Sequence, residues 1–273
     1  MIRLFFIFSM FFNFQAGVLS VFAVRDGDFT VAGRQTSGDT LLNGIQEKIQ
    51  RAFRLDMSSG DNKNLSKISI DLEKLYKEKK ENIVRYWQGY NQFYISVFYF
   101  GNGDKKAAKK EIDKGIRWIE EMDNKNSEDY ALLSMLQGFG IQFKGMRAMF
   151  IASRIKRNAK KAIELDSMNL RAYYVYGSND FYKPKRFGGG KECERYLLKA
   201  ISLPSIKSQE PYLPSWGREE SYELLIRYYL RENKPEKAMQ YYKEAIRIFP
   251  RSYILSRLYN TRLKDIEKRS LKR

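Results

Sequence analysis

Residues 222–250 read YELLIRYYLRENKPEKAMQYYKEAIRIFP. Tyr222, Leu225 and Tyr229 recur at spacings of three and four, which places them on one face of a helix. After Asn233-Lys234-Pro235, a second such face carries Ala238, Tyr242 and Ala245, and Pro250 closes the stretch. Two antiparallel helices approach closely only where a side chain is small, so the alanines mark the crossing and the aromatics fill the gaps beside it. Pro235 suits a first helical turn, because the amide it lacks has no intrahelical partner there. Pro250 starts the next turn. The segment is a helical hairpin by its own chemistry.

Weaker copies of the same offsets lie upstream. One runs through Ile95, Ser96, Tyr99, Gly103, Ala108, Ile112 and Gly115. Another opens with Tyr130, Leu133 and Ser134 and ends in Ala159, Ala162, Asp166 and Ser167, with serine where the last copy has proline. A third opens with Ala172, Tyr173, Tyr176 and Gly177 and closes through Leu197 and Ala200, with residues 182–190 inserted at its turn. Before them, Leu41, Leu42, Ile45, Ile49, Ala52 and Phe53 share one helical face. Ser58-Ser59-Gly60-Asp61 breaks that helix, and Ile68 to Tyr76 begins another. Ser127-Glu128-Asp129 reads as an N-cap followed by acids that suit the helix dipole.

All six prolines lie at or beyond position 184, so the earlier chain can hold long helices, and residues 203–217, with three of the six, read as a loop. Alternating strand patterns are nearly absent. These features predict an all-α fold, with a helical segment over 40–80, four helix pairs over 82–255 and a basic tail over 256–273.

The whole chain has 273 residues, of which 43% are apolar, 30% charged and 15% aromatic, a composition with enough apolar surface for a packed core. Fifty basic residues against 32 acidic ones leave a formal charge of +18. There is no histidine, and Cys193 is the single cysteine. Histidine general bases, Ser-His-Asp and Cys-His constellations and zinc sites built from His or Cys are therefore excluded, as is a disulfide within the chain. No cofactor and no metal is expected.

A positive start, Met1-Ile2-Arg3, leads into a nearly continuous apolar run that ends in Val21-Phe22-Ala23, the pattern of a secretory signal peptide over 1–23. Residues 4–24 are also long enough to span a bilayer. The polar interruptions Asn13 and Gln15 and the Val-Phe-Ala ending favour cleavage over an anchor. A glycine-containing leader over 24–39 follows. The expected location is the periplasm or the cell envelope.

The hairpin offsets resemble those of tetratricopeptide-repeat proteins over residues 82–255, with Ile226 departing from the glycine their pattern prefers. Arg171-Ala172-Tyr173-Tyr174, Gly177, Pro184 and Phe187-Gly188-Gly189-Gly190 are similar to a group of exported bacterial repeat proteins with a Pro-x-x-Phe-Gly-Gly turn. The resemblance implies a right-handed solenoid of antiparallel helix pairs whose concave groove binds protein segments, without catalysis. It assigns packing roles to Ala108, Ala162, Gly177, Ala200, Tyr222, Leu225, Tyr229, Ala238, Tyr242, Ala245 and Pro250. It places Phe93 and Val97, Tyr174 and Ser178, and Glu223 and Arg227 on the groove. That surface is either an open site or is covered by the entry helices or the 203–217 loop.

Four other features compete for a role. Phe187-Gly188-Gly189-Gly190-Lys191 resembles a phosphate loop only loosely, since Glu192 follows the lysine and a helix precedes, so a tight turn is the better reading. Lys144, Arg147, Arg154, Lys156, Arg157, Lys160 and Lys161 run without an intervening acid. They form either a solvated face or a stripe for anionic lipid, acidic protein or nucleic acid, the last disfavoured by export. Glu120-Glu121 and Glu219-Glu220 sit about 100° apart on a helix and do not converge. Cys193 falls where the pattern wants a small buried residue. The function expected is a non-catalytic protein-binding scaffold, with a small-ligand or lipid-binding envelope component as the alternative.

Overall fold

Two entry helices, α1 (Ile45–Ser59) and α2 (Lys63–Lys79), lead into four helix pairs among the described residues. These are α3 (Asn82–Gly101) with α4 (Lys105–Glu120), and α5 (Ser127–Gly140) with α6 (Ala148–Leu165). They continue with α7 (Leu170–Tyr182) and α8 (Cys193–Ser202), then α9 (Arg218–Arg231) and α10 (Pro235–Ile248). The computed structural model describes residues 41–204 and 210–270, and the expected signal peptide and leader lie outside them. No strand occurs among the described residues, so the chain is all-α, as the periodicity predicts.

Side-chain caps set several helix starts. Asp104 accepts from the Ala107 amide ahead of α4, and Ser252 accepts from Leu255. The α5 cap is Asn126, one residue earlier than the sequence reading placed it. Asn126 and Asp129 exchange side-chain and backbone bonds of 3.0 and 2.9 Å in a reciprocal capping box. Ser127 is thereby free to donate its hydroxyl to the Ala162 carbonyl at 2.8 Å, tying α5 to α6. Asp56, buried in α1, caps α2 by accepting from the Asn64 and Leu65 amides.

Within each pair the helices meet at small residues. Ala108, Ala162, Ala200, Ala238 and Ala245 are fully buried. A Cβ on Gly177 would stand 2.9 Å from Leu197, so that glycine sets how closely α7 and α8 approach. Serine occupies the equivalent place in the two earlier pairs, and there its hydroxyl crosses to the partner helix. Ser96 donates to the Ala108 carbonyl at 2.6 Å and Ser134 to that of Ile155 at 3.0 Å. Tyr222, Leu225 and Tyr229 are buried with Ile226 in the last pair, while Tyr242 is half-buried and Pro250 is exposed.

The first helices of successive pairs pack on one another, α3 on α5, α5 on α7 and α7 on α9, to an extent the second helices do not match. The first helices thus line the inner curve of the stack. The segment expected as a basic tail continues the fold: α11 (Tyr253–Leu258), a π-turn (Tyr259–Leu263) and α12 (Lys264–Ser270) bury Leu255, Leu258 and Leu263. Tyr259 stacks on Tyr242 at 5.3 Å, which covers the open end of the last pair.

Candidate functional site: the inner face of the first helices

The inner face is built from one side of α3, α5, α7 and α9. Phe93 and Val97 come from α3, Tyr174 and Ser178 from α7, and Glu223 and Arg227 from α9, and each is partly exposed. Met135 of α5, also partly exposed, lies on the second helix of this row; the repeat spacing puts it in line with Val97, but the sequence reading passed over it. The Glu223 and Arg227 side chains form an ion pair at 3.0 Å and keep 18% and 32% of their surface. Burial raises the Glu223 and Glu220 carboxyls above their ordinary values, as expected for acids set in a partly dry face.

One end of this face is closed by the chain itself. The loop between α8 and α9 carries Trp216 onto it, buried, stacked on Tyr90 at 6.1 Å and edge-on to Tyr174 at 6.0 Å. The Trp216 indole donates to the Tyr86 hydroxyl at 2.8 Å, and the Trp87 indole donates to the Tyr212 carbonyl at 2.8 Å. Gln46 of α1 accepts from the Ser215 and Trp216 amides at 2.8 and 3.1 Å. Arg171 holds Glu128 in a two-pronged pair and reaches the Trp216 carbonyl. Burial pushes the Tyr86, Tyr90 and Tyr174 phenols up, so they stay neutral. The first turns of α3, α5 and α7 are therefore stapled together, and the open part of the face begins beyond Trp216.

The Pro184–Gly190 turn has no room for an anion. Gly188 and Gly190 take φ of +80° and +82°, and a Cβ on Gly189 would stand 1.8 Å from the Lys183 carbonyl oxygen. The amides that would cradle a phosphate are already bonded: those of Gly189 and Gly190 donate to the Pro184 and Asp180 carbonyls. Those of Glu192 and Cys193 donate to the Asp180 carboxylate at 2.8 and 2.9 Å. The turn is a structural device that lets Asp180 cap α8.

Cys193 is buried, and burial pushes its thiol up to about 12, which leaves it protonated and unreactive. Glu120 accepts from Gln137 and pairs with Arg154, Glu219 accepts from Ser252, and Glu220 caps Gly217. Each of these acids has a structural partner. No helix among the described residues is long and apolar enough to cross a membrane.

No protein-family model and no curated protein matches the chain. Solved structures do. A thermophilic tetratricopeptide-repeat protein of Thermus thermophilus aligns over 78% of this chain and 97% of its own, at 15% identity and a TM-score of 0.51. The HusA haemophore of Porphyromonas gingivalis aligns over 73% of this chain and 96% of its own, at 20% identity and a TM-score of 0.53. At such identities the likeness shows the fold: an all-α, right-handed tetratricopeptide-type solenoid of helix pairs.

Proposed function

We propose that the protein is a non-catalytic interaction scaffold of the cell envelope that holds an extended protein segment along its inner face. The observation that carries this reading is the row of partly exposed side chains left open beyond the Trp216 staple. Phe93, Val97 and Met135 offer apolar surface at one end, and Glu223 and Arg227 offer charge at the other. A rigid helical stack loses little entropy on binding, and apolar anchors beside a charged end select both sequence and direction in a bound segment. The signal-like sequence pattern over 1–23 supports an envelope location. N-terminal sequencing of the protein recovered from the envelope should begin at Val24.

The test is photo-cross-linking of the tagged, full-length protein in its native cells, from probes at Val97, at Arg227 and, as a contrast, at Lys160 on the outer face. A discrete protein captured from Val97 and Arg227 at both low and high salt is expected. Capture from Lys160 alone, or none, would end this reading.

A second reading rests on a separate observation. An open hollow of about 660 Å³ between α6, α7 and α8 is lined by Tyr173, Tyr196, Arg195 and Lys199. Tyr176 and Tyr196 stack at 3.8 Å and the Arg195 guanidinium lies over the Tyr196 ring at 4.6 Å. Flat aromatic faces beside Lys199 and Arg195, the latter paired with Glu192, suit a planar anionic molecule, and one protein of this fold is a haemophore. Titration with haemin should then give a saturable absorbance change that Tyr196→Ala weakens; a linear, unsaturable response removes this reading.

A further inference from the structure

We propose that the tip at the start of α6 docks the protein on a bilayer with anionic headgroups. Three large apolar side chains stand almost fully in solvent there: Met146 at 94% exposure, Met149 at 74% and Phe150 at 82%. They are carried on a short 3-10 turn, Gly145–Arg147, with Gly145 at φ +52°, and on the first turn of α6. The support beneath is a set of packed rings. Phe143, just before the turn, packs edge-on against Phe139 and Phe100 at 5.9 Å each. Exposing this much contiguous apolar surface in water is unfavourable, and nothing in the packing of α5 against α6 requires it.

The charge around the tip identifies the partner. Seven basic residues and no acid occur from Lys144 to Lys161, and Arg147 lies inside the tip itself. Of the seven, Lys144 is paired with Asp113 at 2.6 Å, Arg154 with Glu120 at 3.3 Å and Lys161 with Glu164 at 3.8 Å, while Arg147, Arg157 and Lys160 are exposed. A basic stripe alone would serve nucleic acid equally well, but phosphate recognition has no use for protruding methionine and phenylalanine. Anchors for a protein partner sit at the centre of well-packed patches whose surroundings exclude water. Here the apolar side chains stand on an exposed turn, with exposed Arg147 among them and exposed Arg157 and Lys160 further along α6. That arrangement fits a soft interface, where apolar groups enter the acyl boundary and Lys and Arg remain among the phosphates.

The experiment uses the chain as exported, from Val24 onward, and vesicles of phosphatidylcholine, alone or mixed with phosphatidylglycerol. An environment-sensitive dye is placed on a Met149→Cys variant; Cys193 is buried and does not compete for it. The dye should shift to the blue on the mixed vesicles only. A Met146→Ser, Met149→Ser, Phe150→Ser variant of unchanged helical content should bind those vesicles about tenfold or more weakly. A dye that stays in water while the protein floats with the vesicles overturns the proposal. So does a triple-serine variant that binds like the parent, equal binding to phosphatidylcholine alone, or no binding.

Discussion

Gly189 shows how narrow the tolerance is at single positions. A methyl group there would stand 1.8 Å from the Lys183 carbonyl oxygen, with backbone on the other side of the clash. Gly188, one residue earlier, is the one of the two that takes a positive φ, and a Cβ there would meet nothing within 4 Å. The two alanine substitutions therefore separate steric exclusion from backbone preference. Gly188→Ala should cost about 1 kcal/mol, the ordinary penalty for a left-handed non-glycine residue. Gly189→Ala must move the turn and release Asp180 from its cap on α8, and should cost about 2–4 kcal/mol. Melting curves of the two variants decide this; equal losses would mean that the turn relaxes freely.

Trp216 sets the behaviour of whole elements. In a simple stack each helix pair touches only its neighbours, and stability spreads as in a one-dimensional array. The loop ahead of α9 breaks that rule by joining α1 and α3 through hydrogen bonds between residues 125 to 170 positions apart, and α7 through one between residues 45 positions apart. Trp216→Ala removes a buried indole and leaves Tyr86 and Tyr90 facing a cavity, a loss of about 3–5 kcal/mol. Its signature should be local as well: amides of α1 and α3 should exchange faster, while those of α10 stay protected. Uniform loss of protection along the chain would contradict the staple. The sequence allowed for the 203–217 loop covering this surface but did not single out Trp216, since a loop tryptophan carries no period and its partners lie far away. The helix pairs were legible because each repeats an apolar face locally. The α5 cap was misplaced by one residue because Asn126 and Ser127 are both good caps, and only the packing shows that Ser127 is bonded to α6 instead. The last helices were hidden for a different reason. Leu258 and Leu263 are five residues apart across a π-turn, which interrupts the 3.6-residue spacing among many basic side chains. On the inner face, the repeat offsets indicated the row of residues but not that Trp216 covers its first turns.

For the molecule as a whole, the lack of histidine leaves the window from about pH 5 to 7 to displaced carboxyls. Burial raises Asp129 from 3.8 to about 6, and burial also raises Glu220 and Glu223. A carboxyl raised by folding stabilises the folded state when protonated. The contribution of Asp129 is therefore complete below its unfolded value and is lost as pH rises through about 6. For Asp129 alone the difference is roughly 3 kcal/mol at neutral pH. Asp113, lowered by Lys109 and Lys144 against the opposing effect of its burial, and Glu232, lowered by Lys185, act in the opposite sense, but only below the ordinary carboxylate range. The melting temperature should thus rise as pH falls from about 7.5 to 5.5 and turn down again below about 4, where carboxylates are lost and self-repulsion of a chain already at +18 grows. Asp129→Asn keeps a side-chain acceptor for the Asn126 amide and has no charge to bury, so it should be more stable than the parent at neutral pH and should flatten the rise. A parent profile that falls steadily from about pH 7.5 to 5.5 would show that the ion pairs and overall charge outweigh the buried acids.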